Sequence, residues 1–259
     1  PELPKYIEPV PVQRVRFRVG RTGDARFLSH HELANAWIRA LRRTGAPLSY
    51  SHGFHAHPRV NFSTAFPVGE ESEGDYMDVW LKEHVEPEEL LRRLRDVLPS
   101  GLCVVSAEEV SLKVPSLMSQ VVGFSYTLYT QADLLVIQAR GQQLLALAEI
   151  PFRRSTPAKN GSPRTTVIDI RPMIRALRVR DAGDSDQTWI NPPRRAVDIE
   201  TQVIEGRSLR PREVLELLGL DPLDTRIVKR ATRLRPCGQG EPAPPSWPTD
   251  EGRLLPAEA

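Results

Sequence analysis

Val12-Gln13-Arg14-Val15-Arg16-Phe17-Arg18-Val19, followed at once by Gly20-Arg21-Thr22-Gly23-Asp24-Ala25-Arg26-Phe27-Leu28-Ser29-His30-His31-Glu32, sets the architecture. The first eight residues alternate β-branched or aromatic side chains with polar ones, the period of a half-buried strand. Val15, Phe17 and Val19 then face a core. Arg14, Arg16 and Arg18 form a row on the other face, to be read as a solvated surface or as a contact for phosphate. Ser29 with Glu32 three residues later makes a capping box, and Leu28 with Leu33 makes its hydrophobic staple. Leu33, Trp37 and Leu41 recur at helical spacing, Trp37 as a core anchor, until Gly45 stops the helix. Arg39, Arg42 and Arg43 mark its solvent face.

Downstream of this strand and helix, Pro47–Tyr50 reads as a short strand, the histidine-rich segment after it as a loop, and Arg59–Phe66 as another alternating strand. Gly69 to Gly74 reads as a turn before a strand over Asp75–Leu81. Pro87 opens a second helix with Glu88 and Glu89 in its first turn, and Leu102–Ala107 closes the unit as a strand. A second pass of similar order begins at Phe124. It has a helix over Ala132–Ala148, strands at Pro151–Arg154, Thr165–Arg171, Arg175–Arg180 and Ala196–Ile204, a helix from Pro211 to Gly219, and a closing strand at Arg226–Ala231.

The expected fold is therefore α+β: two ferredoxin-like (split βαβ) halves, antiparallel sheets with helices on one face. Residues 12–112 form the first half and 122–232 the second. Residues 1–11 read as an extended arm or linker and 235–259, rich in proline and glycine, as a disordered tail.

Composition narrows the function classes. The chain has 259 residues, 40% hydrophobic and 26% charged, the mix of an ordinary globular protein. No apolar run approaches the ~20 residues that span a bilayer, and the first residues lack the plan of a signal peptide, so no membrane association and a cytoplasmic location are expected. With only Cys103 and Cys237, the chain alone supports no disulfide framework, cysteine zinc site or iron-sulfur cluster. Cys103, in an apolar run, reads as a buried thiol. The net charge of +2 divides into −2 on residues 235–259 and +4 on the rest, which permits an anionic partner without requiring one.

Five of the six histidines lie between residues 20 and 78. His52, His55 and His57 alternate on a loop and suit a transition metal if His30, His31 or Asp75 completes the sphere. The alternative, preferred here, is hydrogen bonding to a polar or anionic ligand with no metal. Arg21 and Asp24 lie among glycines before the helix start capped by Ser29, where backbone N–H groups and the helix dipole favour anions. No nucleotide-binding glycine loop and no serine-nucleophile elbow occurs.

Val15 through His30, then Leu48-Ser49-Tyr50-Ser51-His52-Gly53-Phe54-His55-Ala56-His57-Pro58-Arg59, then Pro67-Val68-Gly69-Glu70-Glu71-Ser72 resemble the radical-SAM-linked family, a domain of unknown function found alone or fused behind cobalamin-binding radical S-adenosylmethionine proteins. Ile168-Asp169-Ile170-Arg171-Pro172-Met173-Ile174 resembles its second-half signature, and the likeness runs over about residues 12–232. His52 and His55 stand where the family tends to carry Gln and Asn, which argues further against metal. The resemblance implies a radical SAM partner, fused or separate. That partner would bring the iron-sulfur cluster, S-adenosylmethionine and cobalamin. It implies no catalytic residue in this chain.

The expected function is thus a non-catalytic accessory module that docks on, or presents substrate to, such an enzyme. Its ligand-binding residues would be Arg21, Asp24, Ser29, His30, His52, Gly53, Phe54, His55, His57, Arg59, Glu71, Asp169 and Arg171. The alternatives are an RNA-binding module, with the arginines on phosphates and Tyr50 or Phe54 stacking on bases, and a stand-alone metal-dependent enzyme.

Overall fold

The computed structural model describes residues 10–51, 56–156, 164–183, 194–235 and 255–256. It is a mixed α+β protein with a large, mostly antiparallel sheet and helices. Backbone contacts divide the chain into two compact units, Pro1–Val121 with Lys229–Glu241, and Val122–Val228 with Pro242–Ala259.

The first unit carries β1 (Gln13–Arg21), α1 (His30–Arg43), β2 (Val60–Phe62), β3 (Glu70–Leu81), α2 (Pro87–Val97), β4 (Leu102–Val110) and the short α3 (Leu117–Gln120). β1 lies between β3 and β4, antiparallel to both, and β2 pairs antiparallel with β3. Val15, Phe17 and Val19 on β1 join Leu33, Trp37 and Leu41 of α1 and Leu90, Leu91 and Leu94 of α2 in one core. This is the packing that the two periodicities require. The capping box forms in full: the Glu32 N–H donates to Ser29 Oγ at 3.3 Å and the Ser29 N–H to Glu32 Oε2 at 2.9 Å. That bonding to Ser29 holds the Glu32 carboxyl below its ordinary range.

Four expectations are corrected in this unit. Arg14 and Arg16 are 2% and 6% exposed, not solvated. In the register Arg16 lies directly opposite Asp78 of β3, and both guanidiniums donate to that carboxylate, Arg16 Nε at 2.8 Å and Arg14 Nε at 2.8 Å. The segment from Ser111 to Gln120 covers this face, with the carbonyls of Val114 and Pro115 accepting from Arg14. The residues from Glu70 to Gly74 are the first part of β3 and not a turn. A Cβ on Gly74 would lie 2.5 Å from the Arg230 carbonyl, so this glycine marks close backbone approach. Cys103 is exposed, because it alternates with the buried Leu102 and Val104 along β4. The Pro47–Tyr50 stretch makes only isolated bridges, Leu48 to Leu81 and Tyr50 to Pro58.

The second unit carries β5 (Val121–Thr130), α4 (Leu134–Ala146), β6 (Pro151–Thr156), β7 (Arg164–Asp169), β8 (Ile174–Asp181), β9 (Arg195–Gln202) and α5 (Pro211–Leu218). β9 pairs antiparallel with β5 and β8, while β6 and β7 pair antiparallel in a separate two-stranded sheet. Asp133 caps α4 by accepting from the N–H groups of Leu135 and Val136. Gly219 ends α5 at φ 62°, the left-handed conformation that glycine adopts without strain. The last long strand, β10 (Arg226–Leu234), contributes Arg226 to Val228 to this unit and Lys229 onward to the first. Of the expected arm at 1–11 and tail at 235–259, residues 1–9, 236–254 and 257–259 lie outside the described residues. Leu255–Pro256 forms a two-residue strand, β11, on β8. No described helix is long and apolar enough to cross a membrane.

Candidate functional site

The start of α1, β2 and the turn into α3 border an open cleft of about 430 Å³ in the first unit. His30, Asn61, Thr64 and Ser116 supply its polar lining and Val60, Phe62, Ala65, Leu117 and Met118 the apolar part. The capped helix start delivers His30, whose ring lies 5.5 Å from that of Phe66 and 6.1 Å from that of Phe62. Phe62 and Phe66 meet edge to face at 5.1 Å. The lining side chains carry no formal charge unless His30 is protonated.

Behind Thr64 lies a buried polar cluster. The Lys229 ammonium donates to Asp75 Oδ1 and to Thr64 Oγ1, both at 2.9 Å. Ser63, Thr64 and Thr232 hydroxyls also donate to Asp75 Oδ1, at 3.3, 3.2 and 3.2 Å. Burial alone would raise the Asp75 carboxyl. The Lys229 charge and the hydrogen bonds of Ser72, Lys229 and Thr232 outweigh burial and hold it below its ordinary range. The carboxylate is thus ionised and paired.

The Arg21 guanidinium also lies 5.4 Å from the Phe66 ring and donates to the carbonyls of Pro67 (2.8 Å) and Glu70 (2.5 Å). Burial pulls its pKa down, and Asp75, Glu70 and Glu71 partly restore it. Glu71, 1% exposed, accepts from Arg26 at 3.3 Å.

The sequence-derived residues divide accordingly. Arg21 and His30 each lie against the Phe66 ring, Ser29 caps α1 just before His30, and Glu71 is buried beside Arg26. Asp24 is exposed in the 3-10 turn Gly23–Phe27 that precedes the helix. His52, Gly53, Phe54 and His55 lie outside the described residues. His57 is exposed, its N–H donating to Ser51 Oγ, and Arg59 lies 5.5 Å over the Trp80 ring. Asp169 and Arg171 belong to the second unit and do structural work there. Asp169 accepts from the N–H groups of Ile150 and Arg171, and the Arg171 side chain donates to the carbonyls of Leu145, Leu147 and Ile174. Among the described residues no three His, Cys, Asp or Glu side chains gather as metal ligands.

Sequence reasoning passed over Asn61, Thr64, Ser116, Met118 and Lys229. The one signal available was Lys229 itself, a cation inside the apolar strand Arg226-Ile227-Val228-Lys229, which requires a buried partner.

Fold and cleft together define an α+β protein of two compact units whose first unit carries a largely uncharged cleft lined in part by aromatic rings. The chain belongs to the DUF2344 family, described as an uncharacterized protein conserved in bacteria, whose model matches residues 14–211. No curated protein matches it. Among solved structures, 88% of the chain is similar to 29% of a heavy metal efflux pump (crystal form II) at 12% identity and TM-score 0.22, a likeness too slight to carry an argument.

Proposed function

We propose that this chain is a non-catalytic accessory module. It holds a small ligand in the first unit's cleft and presents it to a cobalamin-binding radical SAM enzyme, fused to it or separate. The observation that carries the reading is the state of the charged groups around the cleft. Asp75 is paired with Lys229, Glu71 with Arg26 and Glu32 with Ser29, so that the polar lining, beside the His30 ring, consists of the Asn61 amide and the Thr64 and Ser116 hydroxyls, an arrangement suited to orienting a ligand. The partner would supply the iron-sulfur cluster, S-adenosylmethionine and cobalamin, and with them the radical chemistry.

We also propose that both halves are ferredoxin-like. The order β2-β3-β1-β4 in the first and β8-β9-β5-β10 in the second supports this. RNA binding is the second reading. It rests on Arg39, Arg42 and Arg43, exposed along α1, and not on Arg14 and Arg16, which Asp78 engages.

Titrating the purified chain into the cobalamin-binding radical SAM protein of the same genome tests the module reading. A saturable complex in sedimentation velocity is expected, with Kd of about 10 μM or tighter. Two independent species at about 100 μM of each would overturn it.

A further inference from the structure

The hydrogen-bond directions in the cleft wall restrict what it takes. An ammonium has only donors, so Thr64 Oγ1, 2.9 Å from Lys229 Nζ, accepts that bond. An ionised carboxylate has only acceptors, so the single Thr64 hydroxyl proton goes to Asp75 Oδ1 at 3.2 Å. Thr64 therefore keeps one lone pair and no proton for a ligand. Ser116, exposed at the rim, has its proton directed by Ser119. The Ser119 hydroxyl donates to the Ser116 carbonyl at 2.7 Å, so the contact of Ser119 Oγ with Ser116 Oγ at 3.1 Å carries the Ser116 proton. Both hydroxyls lining the cleft are acceptors, and the rest of the lining offers the Asn61 amide, the His30 ring and the apolar surfaces of Phe62, Leu117 and Met118, with no lysine or arginine.

Resting on the reading of this cleft as a ligand site, we infer that it takes a planar heteroaromatic ring bearing an exocyclic amino group, the chemistry of adenine or cytosine. The amino group donates to Thr64 or Ser116, Asn61 meets the ring edge with its donor and its acceptor, and Leu117 and Met118 cover the ring face. A cleft of about 430 Å³ is of the size that holds such ligands. The ring could come as a free nucleoside or as an unpaired nucleotide of RNA, since both present the same edge.

The test uses the full chain and methyl NMR signals of Leu117 and Met118, titrated with adenosine, inosine, cytidine, uridine and ribose 5-phosphate. Inosine and uridine replace the amino group with a carbonyl, which would face lone pairs. Adenosine or cytidine is expected to bind at least about tenfold tighter than its carbonyl counterpart. Thr64→Val should shrink that ratio, and Thr64→Ser should keep it. Equal binding of the members of each pair, or binding of ribose 5-phosphate alone, would overturn the inference while leaving a ligand cleft in place. Silence towards all five would overturn it too, and the complex titration then decides the module reading separately. A short unstructured adenine oligonucleotide that moves the same methyls with much higher, salt-sensitive affinity identifies RNA as the source.

Discussion

Asp78→Ala is expected to cost about 3–5 kcal/mol, the loss found when one partner of a buried ion pair is removed. Asp78 is fully buried and receives both Arg14 and Arg16, which are themselves nearly so. Without it, two guanidiniums remain in a face covered by the 111–120 segment, with Gln120, the Val114 and Pro115 carbonyls and the Trp80 ring as their remaining contacts. Domains are stable by about 5–15 kcal/mol, so the variant should be near the edge of folding. Urea unfolding followed by circular dichroism measures this. The combined change of Arg14 and Arg16 to Met and Asp78 to Leu should recover most of the loss, because the desolvation cost leaves with the charges. A loss below about 1 kcal/mol in the single variant would show the pair to be dispensable.

Lys229→Met should cost a similar amount, about 3–5 kcal/mol at pH 7, and in a pH-dependent way. In the native protein the folded Asp75 carboxyl titrates below its unfolded value. Its stabilisation is therefore full above the unfolded pKa of about 3.9 and is lost as pH falls through the lower folded value. With Lys229 gone, burial is the leading influence and the folded carboxyl should titrate above about 3.9, so the variant loses stability as pH rises through that interval. The gap between native and variant urea midpoints should thus be narrow near pH 4 and wide at pH 7. A gap independent of pH would place the effect in lost packing and not in the charge.

What the sequence made legible was local. Ser29 and Glu32, Trp37, Pro87, Pro211 and Gly219 each act through bonds or contacts within a turn or two, and all are found where their chemistry places them. The misreadings are non-local. A period of two shows that Arg14 and Arg16 share a face, but whether that face meets water depends on Asp78, more than sixty residues on, and on the 111–120 segment that closes over it. The candidate site was half legible for the same reason. His30 follows from the helix cap, whereas Thr64 acquires its character from Lys229, 165 positions away, and Ser116 from a turn that only the fold brings to β2. The histidine cluster, the most visible local signal, contributes His30 alone to the described cleft.

The central claim is that the first unit's cleft presents a ligand to a radical partner. It is tested most directly by S-adenosylmethionine consumption in the complex of this chain with the radical enzyme, comparing the native chain with Asn61→Ala/Thr64→Val. Ligand-dependent consumption should fall at least about tenfold in the double variant while the complex still forms with unchanged affinity. Consumption equal to that of the native chain, at equal complex affinity, would contradict the account.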